Sequence, residues 1–205
     1  MAKQVTSWSF TRYADYAQCP LKARLKHLDK IQEPPNAAMA RGSTIHKLAE
    51  RYILGQLRSL PYELKLFKPL FTMLKAMYKS KLKRGGLVVE DTWALTKTWT
   101  QTKWSNWALC WLRVKLDCAY RDPKDEQTLV VIDWKTGKFR PEQVGAYLEQ
   151  LELYALVALL LYPLIERVQP QLVYLDGGVV HPEKPLTFER GALPGLKKTW
   201  EKRTK

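Results

Sequence analysis

An acid and a lysine at the end of an apolar run could perform metal-assisted chemistry. Asp133 and Lys135 follow the run Val130–Ile132, and a Thr-Gly pair closes the segment. The run predicts a short buried strand that ends in these two charged residues. Because side chains alternate between the faces of a strand, Asp133 and Lys135 should share one face while Trp134 points to the other.

The preceding segment supplies a second acid. Residues 112–120 predict a strand, and residues 121–128, which contain Asp-Pro-Lys-Asp, predict the connecting turn. A hairpin centred near Asp125 would place Asp117 opposite Asp133, with facing Cβ atoms about 5 Å apart. Like charges in that arrangement repel, so a divalent cation such as Mg²⁺, which prefers carboxylate oxygens, is the simplest partner. Lys135 would then contact a water of that ion. The alternative is that these residues are only the solvated ends of strands.

Composition restricts the class of protein and its partners. The chain has 205 residues, 46% of them apolar and 26% charged, which is typical of one globular domain. Its net charge of +14 favours a polyanionic partner, and nucleic acid is the first candidate, although a basic composition can also serve solubility alone. No uninterrupted apolar run approaches membrane-spanning length, and residues 1–6 contain no signal-peptide core. We therefore expect an intracellular, cytoplasmic protein without a membrane partner.

The three cysteines argue against two kinds of stabilised scaffold. Cys19, Cys110 and Cys118 are far apart in sequence, with no close pair. This spacing is not typical of a disulfide framework or of a cysteine-rich zinc site.

The N-terminal part of the chain predicts helices. Ser9 is a candidate N-cap for a first helix that restarts after Cys19. Gly42 and Ser43 predict the start of a second helix, with His46 in its first turn. The spacing of apolar residues over 61–83 predicts a third. His46 could be a packing histidine, or it could reach carboxylates across the core as a metal ligand.

The rest of the chain predicts a sheet with one long helix. The predicted strands are 87–95, 112–120, the strand ending at Lys135, and 168–175, followed by a possible edge hairpin over 179–188. A regular helix should run from Pro141 to about Leu161, with Gln150 and Tyr154 adjacent on its surface. The C-terminal residues form a basic tail, either disordered or a phosphate-binding helix, with Lys197, Lys198, Lys202, Arg203 and Lys205. This order predicts an α+β fold, a central mixed β-sheet with flanking helices and an N-terminal helical section.

Five local motifs in this order resemble the PD-(D/E)xK nuclease superfamily, whose fold is restriction-endonuclease-like, and within it the RecB-like branch that includes CRISPR-associated nucleases and small phage exonucleases. The resemblance extends from Ser7 to Leu175 and implies a single RecB-like nuclease domain over 1–205, divided into a helical section 1–84, a catalytic sheet and helix 85–190, and the tail 191–205. The motifs are Ser7-Trp8-Ser9-Phe10 through Gln18-Cys19-Pro20, Arg41 to His46, Leu116-Asp117, Ile132 to Gly137, and Gln150 to Tyr154.

The resemblance implies a catalytic assignment. Asp117, Asp133, the backbone carbonyl of Trp134 and His46 would hold one or two Mg²⁺ or Mn²⁺ ions, and Lys135 would orient or help deprotonate a water. The motif also implies that Gln150 and Tyr154 contact the DNA backbone or support Lys135. Glu90, on the first strand, is a weaker candidate for a further metal-linked acid.

The chain departs from the family pattern at two places. Val114 stands where the family often has a glycine, three residues before the first acid. Iron-sulfur members carry one early cysteine and three late ones, but no cysteine follows Cys118 here, so we expect no cluster.

The expected function is a metal-dependent DNA nuclease, more specifically an exonuclease of recombination, repair or processing. Its DNA would be single-stranded or have free ends, a protein partner is possible, and a phage protein acting in the host cytoplasm is one possible source. A non-catalytic DNA-binding or scaffold protein with a degenerate nuclease fold is the main alternative, and a helical RNA-binding adaptor is another.

Overall fold

A mixed β-sheet forms the centre of the computed structural model, which describes residues 5–31, 34, 36–80 and 86–204. Six strands are present in the described residues, in the spatial order β1-β2-β3-β4-β5, and β6 also pairs with β4. Neighbours are antiparallel except β3 and β4, which are parallel. The α+β fold with a mixed sheet is thus confirmed. The strands are β1 (Leu87–Leu95), β2 (Leu112–Asp122), β3 (Asp125–Lys135), β4 (Arg167–Tyr174), β5 (Val179–His181) and β6 (Phe188–Glu189).

The β2–β3 hairpin has the register that the sequence predicts. Cys118 pairs with Ile132 and Ala119 with Val131, so the next position in this register sets Asp117 against Asp133. The predicted turn over 121–128 is too long, because β2 extends to Asp122 and β3 begins at Asp125. A register shift between Arg121 and Asp122 accommodates the tighter turn without changing the pairing nearer the site.

One long helix connects the parallel strands. A 3₁₀ turn (Pro141–Gln143) leads into helix α5 (Val144–Leu161), close to the predicted bounds. By length and composition alone, the segment 141–161 could cross a membrane. Its central residues are instead buried, and the helix contacts β4. Burial against the sheet accounts for its apolar composition.

In the part of the chain that the structure describes, four α-helices precede the sheet. Helix α1 (Phe10–Gln18) begins with Ser9 as its N-cap, as predicted, because the Ser9 hydroxyl accepts the Arg12 N–H. The last predicted residues of the third helix, 81–83, and the boundary at 84 lie outside the described residues. The other elements are α2 (Pro20–Ala23), a π-helical turn (Arg24–Leu28), α3 (Ala37–Ile53), a 3₁₀ segment (Tyr62–Phe67) and α4 (Lys68–Lys79).

Helix α3 starts earlier than predicted. Its N-cap is Asn36, whose Oδ1 accepts the Met39 N–H at 2.8 Å, so Gly42 lies inside the helix and His46 lies near its middle rather than in its first turn. The glycine has a packing role instead of a capping role. A Cβ atom at Gly42 would lie 3.1 Å from Thr136 Oγ1, so its absence lets α3 approach the end of β3 closely.

The C-terminal basic residues form a helix that packs on the core. Helix α6 (Leu193–Arg203) buries Trp200, whose ring stacks on Trp8 with 5.6 Å between centroids. Arg203 forms ion pairs with Glu152 at 2.8 Å and Glu149 at 3.3 Å on α5. Of the two expectations for this tail, the structure therefore shows the helix, while Lys205 lies outside the described residues.

The predicted edge hairpin over 179–188 is replaced by a different pairing. Strands β5 and β6 each pair with β4. Pro182 and Pro185 lie between them and have no N–H to donate to a β-ladder.

Candidate active site

Three acids lie in one row across β1, β2 and β3. The pairs on both sides of Glu90 set it opposite Asp117, and the β2–β3 register sets Asp117 opposite Asp133. All three carboxylates line one cleft of about 950 Å³. The strand pairing therefore places three carboxylates side by side across the sheet.

The strands are distorted at this row. Glu90 has a φ of 48°, a left-handed conformation that is uncommon for a residue with a side chain. On β2, Leu116 packs in the core beneath α5, whereas Cys118 packs in the core beneath α3 and α4. Two residues that are two apart on a regular strand would share a face. The side-chain alternation is thus interrupted at Asp117, where the acids face the cleft.

His46 reaches the row from helix α3. Its Nδ1 lies 3.2 Å from Asp117 Oδ1 and 3.7 Å from Glu90 Oε1, and its Nε2 lies 3.1 Å from the carbonyl oxygen of Trp134. Burial disfavours the imidazolium, but the interactions with Asp117 and Glu90 outweigh it and raise the pKa of His46 to about 10. In the metal-free protein, the histidine therefore serves as the counter-charge of the acids.

Asp117 is the most constrained acid of the row. It is 7% exposed, and its Oδ2 accepts the backbone N–H of Trp134 at 2.8 Å. Burial and the neighbouring charge of Asp133 raise the pKa of Asp117, although the contact with His46 opposes the shift. The ionised form of Asp117 is therefore less favourable in the folded protein than in water.

Asp133 belongs to a network with the long helix α5. Its Oδ1 accepts hydrogen bonds from the Tyr154 hydroxyl at 2.8 Å and from Gln150 Nε2 at 3.1 Å. Lys135 Nζ lies 2.6 Å from Asp133 Oδ2 and donates to Gln150 Oε1 at 3.3 Å. The side chains of Asp133 and Lys135 therefore share a face, as predicted. Trp134 points to the other face, where its ring lies 5.0 Å from that of Phe71.

The network keeps both of its titratable partners protonated. Burial opposes the charge on Lys135, but Asp133 outweighs this effect and raises the pKa of the lysine. Burial and the charges of Asp133 and Asp117 raise the pKa of the Tyr154 hydroxyl. Lys135 is thus an ammonium and Tyr154 a neutral donor, so both are suited to orienting an anionic group or a water.

Among the described residues, one buried carboxylate oxygen of this cleft, Glu90 Oε1, accepts no hydrogen bond, while Glu90 Oε2 pairs with Lys115 at 3.0 Å. Asp133 Oδ2 is compensated by the ammonium of Lys135 at 2.6 Å. His46, Glu90 and Asp117 each offer one ligand atom, and these atoms lie within 4.8 Å of one another. Carboxylate oxygens with one imidazole nitrogen fit a divalent ion such as Mg²⁺ or Mn²⁺. The residues present therefore fit a metal centre.

The structure brings the predicted residues together in two adjoining groups. His46 and Asp117 form one group with Glu90, and Asp133 forms the other with Lys135, Gln150 and Tyr154, as described above. The Trp134 carbonyl faces His46. The assignment of Asp133 and the Trp134 carbonyl as metal ligands stays a prediction, as does the catalytic assignment of Asp117, Asp133, Lys135, Gln150 and Tyr154.

Sequence reasoning gave Glu90 too little weight. The signal is its alignment with Asp117 in the β1–β2 pair. A short hairpin reveals such a pairing by symmetry about its turn, but β1 and β2 are joined by the long connection 96–111. The register of the β1–β2 pair therefore could not be predicted from the sequence of that connection.

A mixed sheet with parallel β3 and β4 joined by a helix, and a row of acids beside a lysine, are features of the restriction-endonuclease-like fold. The sequence pattern of the PD-(D/E)XK nuclease superfamily matches residues 7–191. The chain therefore belongs to the PD-(D/E)XK nuclease superfamily. No curated protein sequence matches it significantly.

Two solved structures align with most of this chain. A presumed exonuclease from Eubacterium rectale has 10% sequence identity and a TM-score of 0.51, with 97% of this chain and 80% of that chain covered. At this identity, the likeness concerns the fold alone. A protein named SSO0001 has 14% identity and a TM-score of 0.39, with coverage of 100% of this chain and 78% of that chain.

Proposed function

We propose that this protein is a divalent-metal-dependent deoxyribonuclease that acts as an exonuclease in DNA recombination, repair or processing in the cytoplasm. The observation that carries the proposal is the row of Glu90, Asp117 and Asp133 beside the ammonium of Lys135. A protein that only binds a phosphate backbone has no use for buried acids in its binding cleft, because they repel the ligand. A metal ion resolves that conflict.

His46, Glu90 and Asp117 would hold the ion, with Asp133 and the backbone carbonyl of Trp134 as the further proposed ligands. When bound, a divalent ion lowers the pKa of a coordinated water and offsets charge on the scissile phosphate. Without an ion, holding these like charges together costs free energy, which is consistent with a metal-binding role.

The second group positions the reacting water and the phosphate. Lys135 presents its ammonium to the cleft, and the side-chain oxygen of Gln150 holds it at 3.3 Å. The amide nitrogen of Gln150 and the Tyr154 hydroxyl fix Asp133. In this arrangement, Lys135 orients a water or a phosphate oxygen, while Gln150 and Tyr154 hold Lys135 and Asp133 in place.

Positive charge around the cleft suits a DNA substrate. Lys47, Arg113 and Lys115 line it together with the acids, and the whole chain carries a net charge of +14. Such a balance attracts a polyanion towards the acidic centre. The exonuclease assignment draws on the family branch that the sequence resembles and on the name of the Eubacterium rectale neighbour.

The test compares end-labelled linear DNA with closed circular DNA of the same sequence, in Mn²⁺ and in a chelator. We expect the wild-type protein to degrade only the linear DNA, and only with Mn²⁺. Lys135→Ala should slow degradation by about 10²–10³-fold, as loss of one preorganised electrostatic donor does. The matched control is Lys124→Ala, which removes an exposed lysine from the β2–β3 turn and should leave the rate unchanged.

Each contrary outcome overturns a defined part of the proposal. Cleavage in the chelator would contradict the metal dependence, and cleavage of the circle would contradict the exonuclease assignment. DNA binding without hydrolysis in Mg²⁺ or Mn²⁺ would support the non-catalytic alternative. A thermal melt of each variant establishes that a lost rate is not a lost fold.

A further inference from the structure

The connection 96–111 between β1 and β2 carries two exposed tryptophans beside the cleft. Trp107 is 66% exposed and Trp104 is 37% exposed, and Trp104 lines the cleft itself. Exposed indoles are costly in a soluble protein, and large aromatic side chains at a surface mark binding sites more often than chance. These two side chains are not explained by the metal centre.

A buried arginine holds both indoles. The guanidinium carbon of Arg113 lies 3.8 Å from the ring centroid of Trp107 and 5.2 Å from that of Trp104. Arg113 also donates to the carbonyl oxygen of Trp104 at 3.1 Å. It is 9% exposed, so the arrangement is a fixed part of the structure. We refer to Trp104, Trp107 and Arg113 as the aromatic shelf.

The rest of the connection fixes the shelf in place. Trp99 is buried, its ring nitrogen donates to Glu201 Oε1 at 2.8 Å, and its ring packs edge-on against Trp111. Cys110 donates its N–H to the carbonyl of Asn106 at 2.8 Å. A preorganised surface loses little entropy when it binds a ligand.

The charge of the shelf is not neutralised by neighbouring acids. Among the residues that the structure describes, no carboxylate lies within ion-pair distance of Arg113 or of the nearby Arg12. Burial and the charge of Arg113 lower the pKa of Arg12. An uncompensated cation beneath an exposed aromatic ring favours a ligand that is both anionic and aromatic.

We propose that the aromatic shelf stacks on an unpaired base of a DNA strand whose backbone enters the acidic cleft. This inference rests on the proposed nuclease function, because it names the form of DNA that the same site would receive. The shelf adjoins the cleft through Trp104, so a strand can contact both. A base has an open face for Trp107 only when it is unpaired or terminal, and such stacking tolerates any base.

The test measures binding of a labelled oligothymidylate by fluorescence anisotropy in Ca²⁺, a hard cation that carboxylates bind, and a gel of the same samples checks that the strand stays intact. One nucleotide at a time is replaced by an abasic one. At one position, we expect the abasic change to weaken binding to the wild-type protein by about tenfold, and Trp107→Ala to weaken binding of the intact strand similarly. The two changes together should cost little more than either alone, because they remove the same contact.

Two variants serve as controls. Trp107→Phe keeps an aromatic face and should retain most of the affinity. Leu109→Ala removes another exposed apolar side chain of the same connection, 59% exposed, and should change affinity less than twofold. Binding of a duplex of equal length should be equally insensitive to Trp107→Ala.

The stacking inference is overturned if the abasic and Trp107→Ala effects multiply independently at every position, or if the variant loses single-stranded and duplex binding equally. The nuclease proposal fails separately. If the abasic and Trp107→Ala effects are coupled but the protein never hydrolyses DNA, the stacking inference stands and the nuclease proposal fails. If the protein cleaves DNA without that coupling, the nuclease proposal stands and the stacking inference fails.

Discussion

Two equally buried aspartates of this protein have opposite electrostatic environments. Asp15 on α1 and Asp117 on β2 are each 7% exposed. The carboxylate of Asp15 receives Lys22 at 3.2 Å, Lys26 at 3.0 Å and His27 at 2.8 Å. Burial raises the pKa of Asp15, but the hydrogen bonds from these three side chains outweigh it and lower the pKa, whereas the pKa of Asp117 is raised.

The difference separates a structural acid from an acid that is kept for a ligand. The surroundings of Asp15 satisfy it within the protein, as expected where a charge only links helices. Asp117 instead lies beside two further acids, and within the described part of the chain the buried Glu90 Oε1 of the row accepts no hydrogen bond. Such a conflict weakens the fold, so its presence in a cleft indicates function. Matched substitutions at the two aspartates test this contrast.

The largest expected difference is in hydrolysis. Asp117→Asn should reduce the Mn²⁺-dependent release of nucleotides from linear DNA by roughly 10³-fold, because loss of a metal ligand removes several kcal/mol of charge stabilisation. Asp15→Asn should keep the rate within about twofold, since Asp15 lies outside the cleft lining. Equal loss in both variants, with both folded, would abolish the distinction.

Metal-dependent stabilisation should follow the same division. At Mn²⁺ concentrations about 100 times the dissociation constant, binding adds about 2.7 kcal/mol to the free energy of unfolding. For a chain of this length, that raises the melting temperature by about 5–10 °C. Differential scanning fluorimetry should show the rise for the wild type and Asp15→Asn and little rise for Asp117→Asn. A full rise in Asp117→Asn would place the ion elsewhere.

Without metal, the two substitutions should change stability in opposite directions. In a chelator at pH 7, Asp15→Asn should lower the free energy of unfolding by about 1–2 kcal/mol, because Lys22, Lys26 and His27 lose the carboxylate that they contact. Asp117→Asn should raise it by up to about 1 kcal/mol, since it removes a like-charge contact and leaves an oxygen for the Trp134 N–H. Urea unfolding measures both, and the same sign in both would show that Asp117 is not strained.

The smallest expected effect is on the pH dependence of stability. The pKa of Asp15 is lower in the folded than in the unfolded protein, so its contribution is fully present above the unfolded pKa and disappears as pH falls through the folded pKa. The difference in unfolding free energy between wild type and Asp15→Asn should therefore shrink in acid. Urea unfolding should be measured in a chelator from neutral pH down through the folded pKa of Asp15. If the difference in unfolding free energy stayed constant over these pH values, the pairing of Asp15 would be contradicted.

The sequence predicted the parts of the fold and site that depend on local pattern. The β2–β3 register followed from symmetry about a turn, and the regular spacing of apolar residues located α5 with Gln150 and Tyr154 adjacent. Ser43 was mistaken for a helix start because it is also a good N-cap residue, whereas Asn36 takes that position. Asn36 and Ser43 are both suitable N-cap residues by type. Tertiary packing decides between them, because it places Gly42 inside the helix and against Thr136.

Features of the fold that depend on the path of a long connection could not be predicted from local sequence patterns. Glu90 joins the row of acids across a connection whose length hides the register. Arg113 and Trp107 are six residues apart in sequence, and their stacking depends on the path of that same connection. The basic composition of the C-terminal segment suggested a tail, but buried Trp200 fixes it to the core.

A crystal soaked with Mn²⁺ tests the central claim most directly. An anomalous difference map recorded at the manganese edge should show a peak between the Nδ1 atom of His46 and the carboxylates of Glu90 and Asp117. The same map from Asp117→Asn should lack that peak. A wild-type map with no peak in the cleft, or with manganese bound only at other carboxylates, would contradict the account.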